Sequence, residues 1–119
     1  MSHFSVEQSM RLALVAEKTE ALIEKHGFVF GAQNQVFDLD PDSRQKWLAL
    51  RTLKPDLTFP IDISPRAGVY SLASEDLDAF LQAGLSVVMG YKSSGRSLRL
   101  SLEQSTTMQD LIDIVDDRV

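Results

Sequence analysis

Apolar residues recur every three or four positions between residues 5 and 26, which predicts an amphipathic helix. Ser5-Val6-Glu7-Gln8 has the form of a capping box, so we expect this helix to begin at about Ser5. His26 and Gly27 are expected to end it, because glycine adopts the left-handed conformation of a helix C-terminus without strain. The predicted apolar face consists of Met10, Leu12, Leu14, Val15, Ala21, Leu22 and Ile23.

The apolar pattern then changes to the alternation that is typical of strands. Phe28-Val29-Phe30 and Gln35-Val36-Phe37 flank a turn at residues 31–34, which predicts a β-hairpin with phenylalanine side chains on its buried face. A second hairpin is predicted within residues 58–72, where Pro60 would stand at a strand start or on an edge.

A helix is predicted between the two hairpins. Asp40 is a suitable N-cap and Pro41 suits the first helical position, so we expect a helix from there through about Leu53. Its inward residues are expected to be Trp47, Leu50 and Leu53.

The C-terminal half carries the clearest helical pattern. Ser74 is expected to cap a helix. Its inward positions would be Leu77, Phe80, Leu81, Gly84, Leu85 and Val88. Residues 93–103 fit both an alternating strand and a continuation of this helix. A last helix is expected to begin at Thr106 or Thr107, because Thr106-Thr107-Met108-Gln109 again has the form of a capping box.

The composition is that of one ordinary folded α+β domain. The chain has 119 residues, of which 44% are apolar and 24% charged. Cysteine is absent, which excludes disulfides and thiolate metal sites. No apolar run reaches the roughly 18 residues of a membrane span, and the N-terminus lacks the features of a signal peptide. A net charge of −5 disfavours binding to phosphate backbones. We therefore expect a soluble protein with neither a membrane nor a nucleic acid as its partner.

No set of residues in the sequence is typical of catalysis or of cofactor binding. Asp38-Leu39-Asp40-Pro41-Asp42 is similar to the start of a calcium loop, but Ser43 and Ala49 stand where that loop needs glycine and glutamate. Helix capping explains these carboxylates better. His3 and His26 are isolated from any partner motif, so no catalytic residue and no metal ligand is predicted.

Two surfaces are candidates for contact with other proteins. Three cations between residues 92 and 99 would share one helical face if the helix continues there, and such a stripe is either solvated or a docking patch for an acidic partner. The tip of the first hairpin is accessible without disturbing a core. The candidate contact residues are Gly31, Gln33, Asn34, Lys92, Arg96 and Arg99.

A set of aromatic, aliphatic and capping positions extends from about Gly27 to Asp117. It consists of Gly27, Phe28, Phe30, Phe37, Asp38, Leu39, Asp40, Ser43, Trp47, Phe59, Pro60, Tyr70, Leu72, Leu77, Phe80, Leu98 and Leu102. This set resembles a small domain family of uncharacterised function found in tail-fibre, tail-assembly and baseplate-associated proteins of tailed bacteriophages and prophages. The family's usual pattern is helical through Leu98 and Leu102, which favours the helix there. Ser93, Ser94, Gly95 and Ser105 depart from that pattern, so a break near residues 93–95 stays open.

The resemblance implies a phage tail-associated α+β domain over residues 27–119, with a helix over residues 1–26 packed on it or leading into it. It implies a structural or adaptor component of the tail, in the fibre or baseplate region, that acts by protein–protein interaction and forms a homo-oligomer within the assembly. Its location would be the virion, after assembly in the bacterial cytoplasm. The alternative is a tail-fibre assembly chaperone that the virion does not retain. The resemblance implies no enzymatic activity and no cofactor.

Overall fold

The structure is a computed structural model that describes residues 2–119. The elements are α1 (His3–His26), β1 (Phe28–Phe30), β2 (Gln35–Phe37), α2 (Pro41–Leu53), β3 (Ile61–Ile63), β4 (Tyr70–Leu72), α3 (Leu77–Gln104) and α4 (Met108–Asp113). The predicted α+β fold, with an N-terminal helix, two hairpins and a helical C-terminal half, is confirmed. Backbone contacts divide the chain into two compact units. Unit 1 comprises Gly90–Val119 and the described part of residues 1–22, and unit 2 comprises Ile23–Met89.

α1 begins at His3, before the start that was expected from the capping-box motif at Ser5. Ser2 Oγ accepts a hydrogen bond from the Ser5 backbone N–H at 3.2 Å. Ser2 therefore supplies the capping hydroxyl of α1, and Ser5 lies inside the first turn. The predicted end of the helix is confirmed, because Gly27 has a φ of 57° directly after it.

The apolar face of α1 is narrower than predicted. Val15, Leu22 and Ile23 are buried as expected, but Met10 and Leu14 are 56% and 59% exposed. Ala21 is exposed as well. Successive residues are about 100° apart around a helix, so Leu14 lies well to the side of Val15. The prediction was wrong for these three positions because the apolar residues spread over more of the helix than its neighbours cover.

The two hairpins of unit 2 are confirmed, with short strands. In the first, β1 pairs antiparallel with β2 and Phe28 lies opposite Phe37. In the second, β3 pairs antiparallel with β4 and Ile61 lies opposite Leu72. β3 begins directly after Pro60, as expected for a residue that has no N–H to donate to a ladder.

Phe80 of α3 is the centre of an aromatic core in unit 2. Its ring centroid lies 5.0 Å from those of Phe28 and Phe37, 5.2 Å from that of Trp47 and 5.3 Å from that of Phe30. These rings meet edge to face, which sets the positive edge of one ring against the negative face of another. The core therefore joins α3 to α2 and to the first hairpin.

α2 has the predicted start. Asp40 is the N-cap, its carboxylate accepts a hydrogen bond from the Ser43 N–H, and Pro41 is the first helical residue. Leu53, however, is 47% exposed, so its prediction as an inward residue was wrong. Six positions along a helix correspond to about 120° around it, which turns Leu53 away from the side of Trp47.

α3 begins at Leu77, so the prediction that Ser74 caps it was wrong. Ser74–Asp76 form a separate 3₁₀ turn, which the Leu77 N–H closes by donating to the Ser74 carbonyl. Ala73 precedes that turn without a side-chain capping bond. Leu85 is 52% exposed, so its prediction as an inward residue was wrong. It lies about 80° around the helix from Leu77, at the margin of the buried face.

Residues 93–103 are helical, because α3 continues without a break to Gln104. The interruption considered near residues 93–95 does not occur. α4 follows after a short turn, with Thr107 as its N-cap. The capping box joins Thr107 to Asp110, one residue later than the motif that was read from the sequence.

Candidate functional site

α1 and α3 approach each other closely within unit 1. A Cβ atom built on Gly95 of α3 would overlap Thr19 Oγ1 of α1. Thr19 is buried, and its hydroxyl donates to the Val15 carbonyl at 2.8 Å. Gly95 is therefore required for close packing, which explains why a glycine occupies an unbroken helix.

Arg118 binds in a socket formed by these two helices. Its guanidinium donates to Thr19 Oγ1 at 3.0 Å, to Ser94 Oγ at 3.2 Å and to the carbonyls of Val15 and Tyr91, both at 3.3 Å. Only 11% of its side chain is exposed. These bonds satisfy most of the guanidinium donors and hold residues 114–119 against α1 and α3.

Asp116 completes the socket. Its carboxylate accepts two hydrogen bonds from the Arg118 guanidinium, at 2.8 and 2.7 Å. This bidentate pair, chiefly through its hydrogen bonds, lowers the pKa of Asp116 below the ordinary value for an aspartate and raises the pKa of Arg118. Both groups are therefore charged at neutral pH.

The cations in the middle of α1 bind the C-terminal part of unit 1. Lys18 Nζ donates to the Asp116 carbonyl at 2.6 Å and lies 3.5 Å from the Asp116 carboxylate. Arg11 pairs with Glu7 at 2.8 Å and donates to the Leu111 carbonyl at 3.1 Å. Both positive charges thus lie on the side of α1 that faces α4 and residues 114–119.

A groove of about 510 Å³ lies beside the contact between Thr19 and Gly95. One side of it carries Lys92, Arg96 and Arg99 of α3, which we call the basic stripe. The stripe lies on one helical face, as expected if α3 is continuous. It spans about 10.5 Å along the helix axis, from seven residues at 1.5 Å each. The other lining residues are Ala16, Thr19, Glu20, Gly95, Leu100 and Glu103.

The basic stripe has no ion-pair partner among residues 2–119. All three of its side chains are exposed. The stripe is therefore a local site of positive charge on a chain whose net charge is −5. Guanidinium groups bind carboxylates through paired hydrogen bonds, so this side of the groove is suited to acidic side chains of a protein.

The tip of the first hairpin belongs to unit 2. Gly31 and Asn34 have positive φ angles of 89° and 51°, and the Asn34 N–H donates to the Gly31 carbonyl at 3.1 Å. A Cβ at Gly31 would lie 2.6 Å from the Tyr70 ring, so this glycine serves the packing of the two hairpins. Gln33 and Asn34 are exposed. Of the predicted contact residues in the tip, these two offer side chains to a partner.

The acidic motif before α2 has structural roles. Asp38 pairs with Arg66 at 2.5 Å, and Arg66 also donates to the carbonyls of Glu24 and Lys25 at 2.6 and 2.8 Å. Hydrogen bonds from Ser43 lower the pKa of Asp40, which caps α2. No group of three or more candidate metal ligands occurs in the described part of the chain, residues 2–119.

The basic stripe was predictable from the sequence, but the residues that shape the groove were not. Thr19 and Arg118 are 99 positions apart, and no local pattern connects them. From the sequence, Gly95 fitted either a helix break or a helical stripe that continues through Leu98 and Leu102. The structure shows the stripe, and its phase is the signal that Gly95 faces a neighbour.

Comparisons with family models, with curated proteins and with solved structures found no match to this chain. Within residues 2–119, no helix is both long enough and apolar enough to cross a membrane.

Proposed function

We propose that this protein is a structural or adaptor component of a bacteriophage tail, in the fibre or baseplate region, and that it acts by binding other proteins rather than by catalysis. The tail setting rests on the resemblance of residues 27–117 to the phage domain family. Under this proposal the protein is assembled in the bacterial cytoplasm and is located in the virion.

The observation that carries the binding role is the basic stripe beside the groove. Lys92, Arg96 and Arg99 are exposed and lack ion-pair partners within residues 2–119. Charges placed in this way attract an acidic protein surface and orient it during encounter. The close contact of Gly95 with Thr19 and the Arg118 socket support the helices on which the stripe lies.

Capture of tail proteins by the purified protein tests this proposal. We expect the wild-type chain to retain fibre or baseplate proteins from cells that produce tails, and Arg96→Glu to lose most of that retention. Arg51→Glu is the matched control, because Arg51 is exposed on α2 and its reversal changes the net charge equally. Equal retention by the two variants, or none by the wild type, would contradict the proposal.

Mass spectrometry of purified virions separates the adaptor from the assembly chaperone. An adaptor remains at a fixed ratio to the other tail proteins, whereas a chaperone is present in the assembling lysate and absent from the particle. Retention of the chain on duplex DNA at physiological salt, lost in Arg96→Glu, would instead assign the stripe to nucleic acid.

A further inference from the structure

We propose that the groove beside the contact between Thr19 and Gly95 binds an acidic α-helix of a partner protein, whose carboxylates face the basic stripe at spacings of four and three residues. This inference deepens the proposed function and rests on it for the view that the groove binds protein. It adds the secondary structure of the bound segment and the pattern of its charges.

The residues that α3 contributes to one side of the groove have the spacing of a surface that contacts another helix. Lys92, Arg96, Arg99 and Glu103 all line the groove, and they follow one another by four, three and four positions. This alternation keeps side chains on one side of a helix, and it is the spacing at which one helix meets a neighbouring helix. A helix is therefore the form of partner that can match every position.

The intervals along the helix axis also favour a helix over an extended strand. Four and three residues of α3 rise about 6.0 and 4.5 Å, so the basic stripe spans about 10.5 Å. A partner helix with carboxylates at the same two spacings reproduces both intervals. In a strand, side chains on one face recur about every 6.8 Å, so three of them span about 13.6 Å and fall out of register with the stripe.

The C-terminal residues of unit 1 pack on a different side of α3. Ser94 Oγ accepts a hydrogen bond from Arg118, and Leu98 packs against the buried cluster that contains Leu111. Ser94 and Leu98 each follow a residue of the basic stripe by two positions, which is about 200° around the helix. Within the described part of unit 1, these residues therefore leave the groove side of α3 open to a third helix.

Small and apolar residues of the groove permit close approach of a helix. Gly95 has no side chain, and Ala16 of α1 is short and exposed. The distance between packed helices depends on the side chains at the contact, so small residues let a partner backbone come near. Leu100 lines the same groove and is 45% exposed, which offers apolar surface to bury beside the charges.

The charges of the groove specify an acidic partner of limited extent. The three cations of the basic stripe occupy about two turns of α3 and attract a row of carboxylates. Glu103 occupies the next position on the same face and would repel a fourth carboxylate. The acidic part of the partner is therefore restricted to about one heptad, which fixes its register along the groove. Glu103 also disfavours a nucleic acid, whose negative charge is continuous.

Binding of designed peptides to the full chain tests this inference. The matched peptide is an alanine-based helix of about 20 residues with glutamates at positions i, i+4 and i+7, and a second form with i, i+3 and i+7 covers the opposite direction. The shuffled peptide has the same composition with glutamates at i, i+2 and i+5, on different sides of the helix. We expect the better matched peptide to bind at least about fivefold more tightly than the shuffled one, by fluorescence anisotropy at low salt, because it forms more ion pairs at once.

Variants of the chain assign the binding to the basic stripe. Arg96→Glu should weaken binding of the matched peptide at least about fivefold. Arg51→Glu, the control with an equal change of charge on α2, should not weaken it. Reversal of all three stripe cations to glutamate should transfer the preference to a matched peptide that carries lysines in place of its glutamates, with the shuffled lysine peptide as control. Circular dichroism checks that each variant is folded.

Four results would overturn the inference. They are equal or absent binding of the matched and shuffled peptides up to about 1 mM, matched binding that Arg96→Glu leaves unchanged, a reversed stripe that does not prefer the matched lysine peptide, and tighter binding of duplex DNA than of the matched peptide at physiological salt. If the wild type still captures tail proteins and Arg96→Glu does not, only the helical form of the partner fails. If capture fails as well, the proposed function fails with it.

Discussion

Replacement of Gly95 by alanine should destabilise the protein even though alanine is the better helix former. The added Cβ would overlap Thr19 Oγ1 and lie 3.1 Å from a guanidinium nitrogen of Arg118. Thr19 cannot easily move away, because its hydroxyl is buried and bonded to both Val15 and Arg118. Either the helices separate or the hydroxyl rotates out of its hydrogen bonds.

The change in the free energy of unfolding for Gly95→Ala is the balance of two destabilising effects and one stabilising effect. Overpacking typically costs about 1–3 kcal/mol. The weakened bond to the charged Arg118 side chain adds about 1–2 kcal/mol. Against this, alanine in place of glycine contributes about 1 kcal/mol of helix propensity. We therefore expect a net decrease of about 1–4 kcal/mol in the free energy of unfolding.

Gly90 provides the matched control in the same helix. A Cβ at Gly90 meets no atom within 4 Å. Gly90→Ala should therefore raise the free energy of unfolding by about 1 kcal/mol. Urea unfolding followed by far-UV circular dichroism measures both variants. Adding Thr19→Ala to Gly95→Ala removes the overlapped oxygen, and a double-mutant cycle should show coupling of about 1 kcal/mol or more. If Gly95→Ala is as stable as Gly90→Ala, α1 and α3 do not pack as closely at Thr19 and Gly95 as described here.

Three further changes test the two units. Phe80→Ala should lower the free energy of unfolding by about 3–5 kcal/mol, measured with urea, because the ring is fully buried at the centre of the aromatic core. Arg118→Ala should lower the free energy of unfolding by about 2 kcal/mol and speed proteolytic cleavage within residues 114–119, because it removes the hydrogen bonds that hold this segment against α1 and α3. The lowered pKa of Asp116 means that its stabilisation is present above the unfolded value of about 3.9 and is lost as pH falls through the folded value. Asp116→Asn should therefore lower the urea midpoint at about pH 7 and have little effect at about pH 2, and a loss that does not change with pH would contradict this role.

Elements that are set by neighbouring residues were predictable from the sequence. Asp40 with Pro41 defines the start of α2, and Gly27 defines the end of α1, through contacts within one turn of chain. The Phe28–Phe37 pairing follows in the same way from alternation around a short turn. Each of these features depends on backbone groups that lie close together in the sequence.

Features that depend on distant parts of the chain were not predictable. The residues that α1 buries depend on where α3 and residues 114–119 lie, so Leu14 was expected inside and is exposed. The socket for Arg118 likewise joins residues from α1, α3 and the end of the described chain. Lys92, Arg96 and Arg99 form the one part of the candidate site that helical phase alone could identify, since all three lie on one helix.

Site-specific photo-cross-linking in cells that produce phage tails tests most directly whether this chain works by protein contact at the groove. A photo-reactive residue at Leu100 lines the groove, and one at Leu48 lies on the exposed side of α2. The account predicts that position 100 forms adducts with a second copy or with a fibre or baseplate protein, that Arg96→Glu reduces these adducts, and that position 48 forms few. No protein adduct at position 100, or equal adducts at both positions, would contradict it.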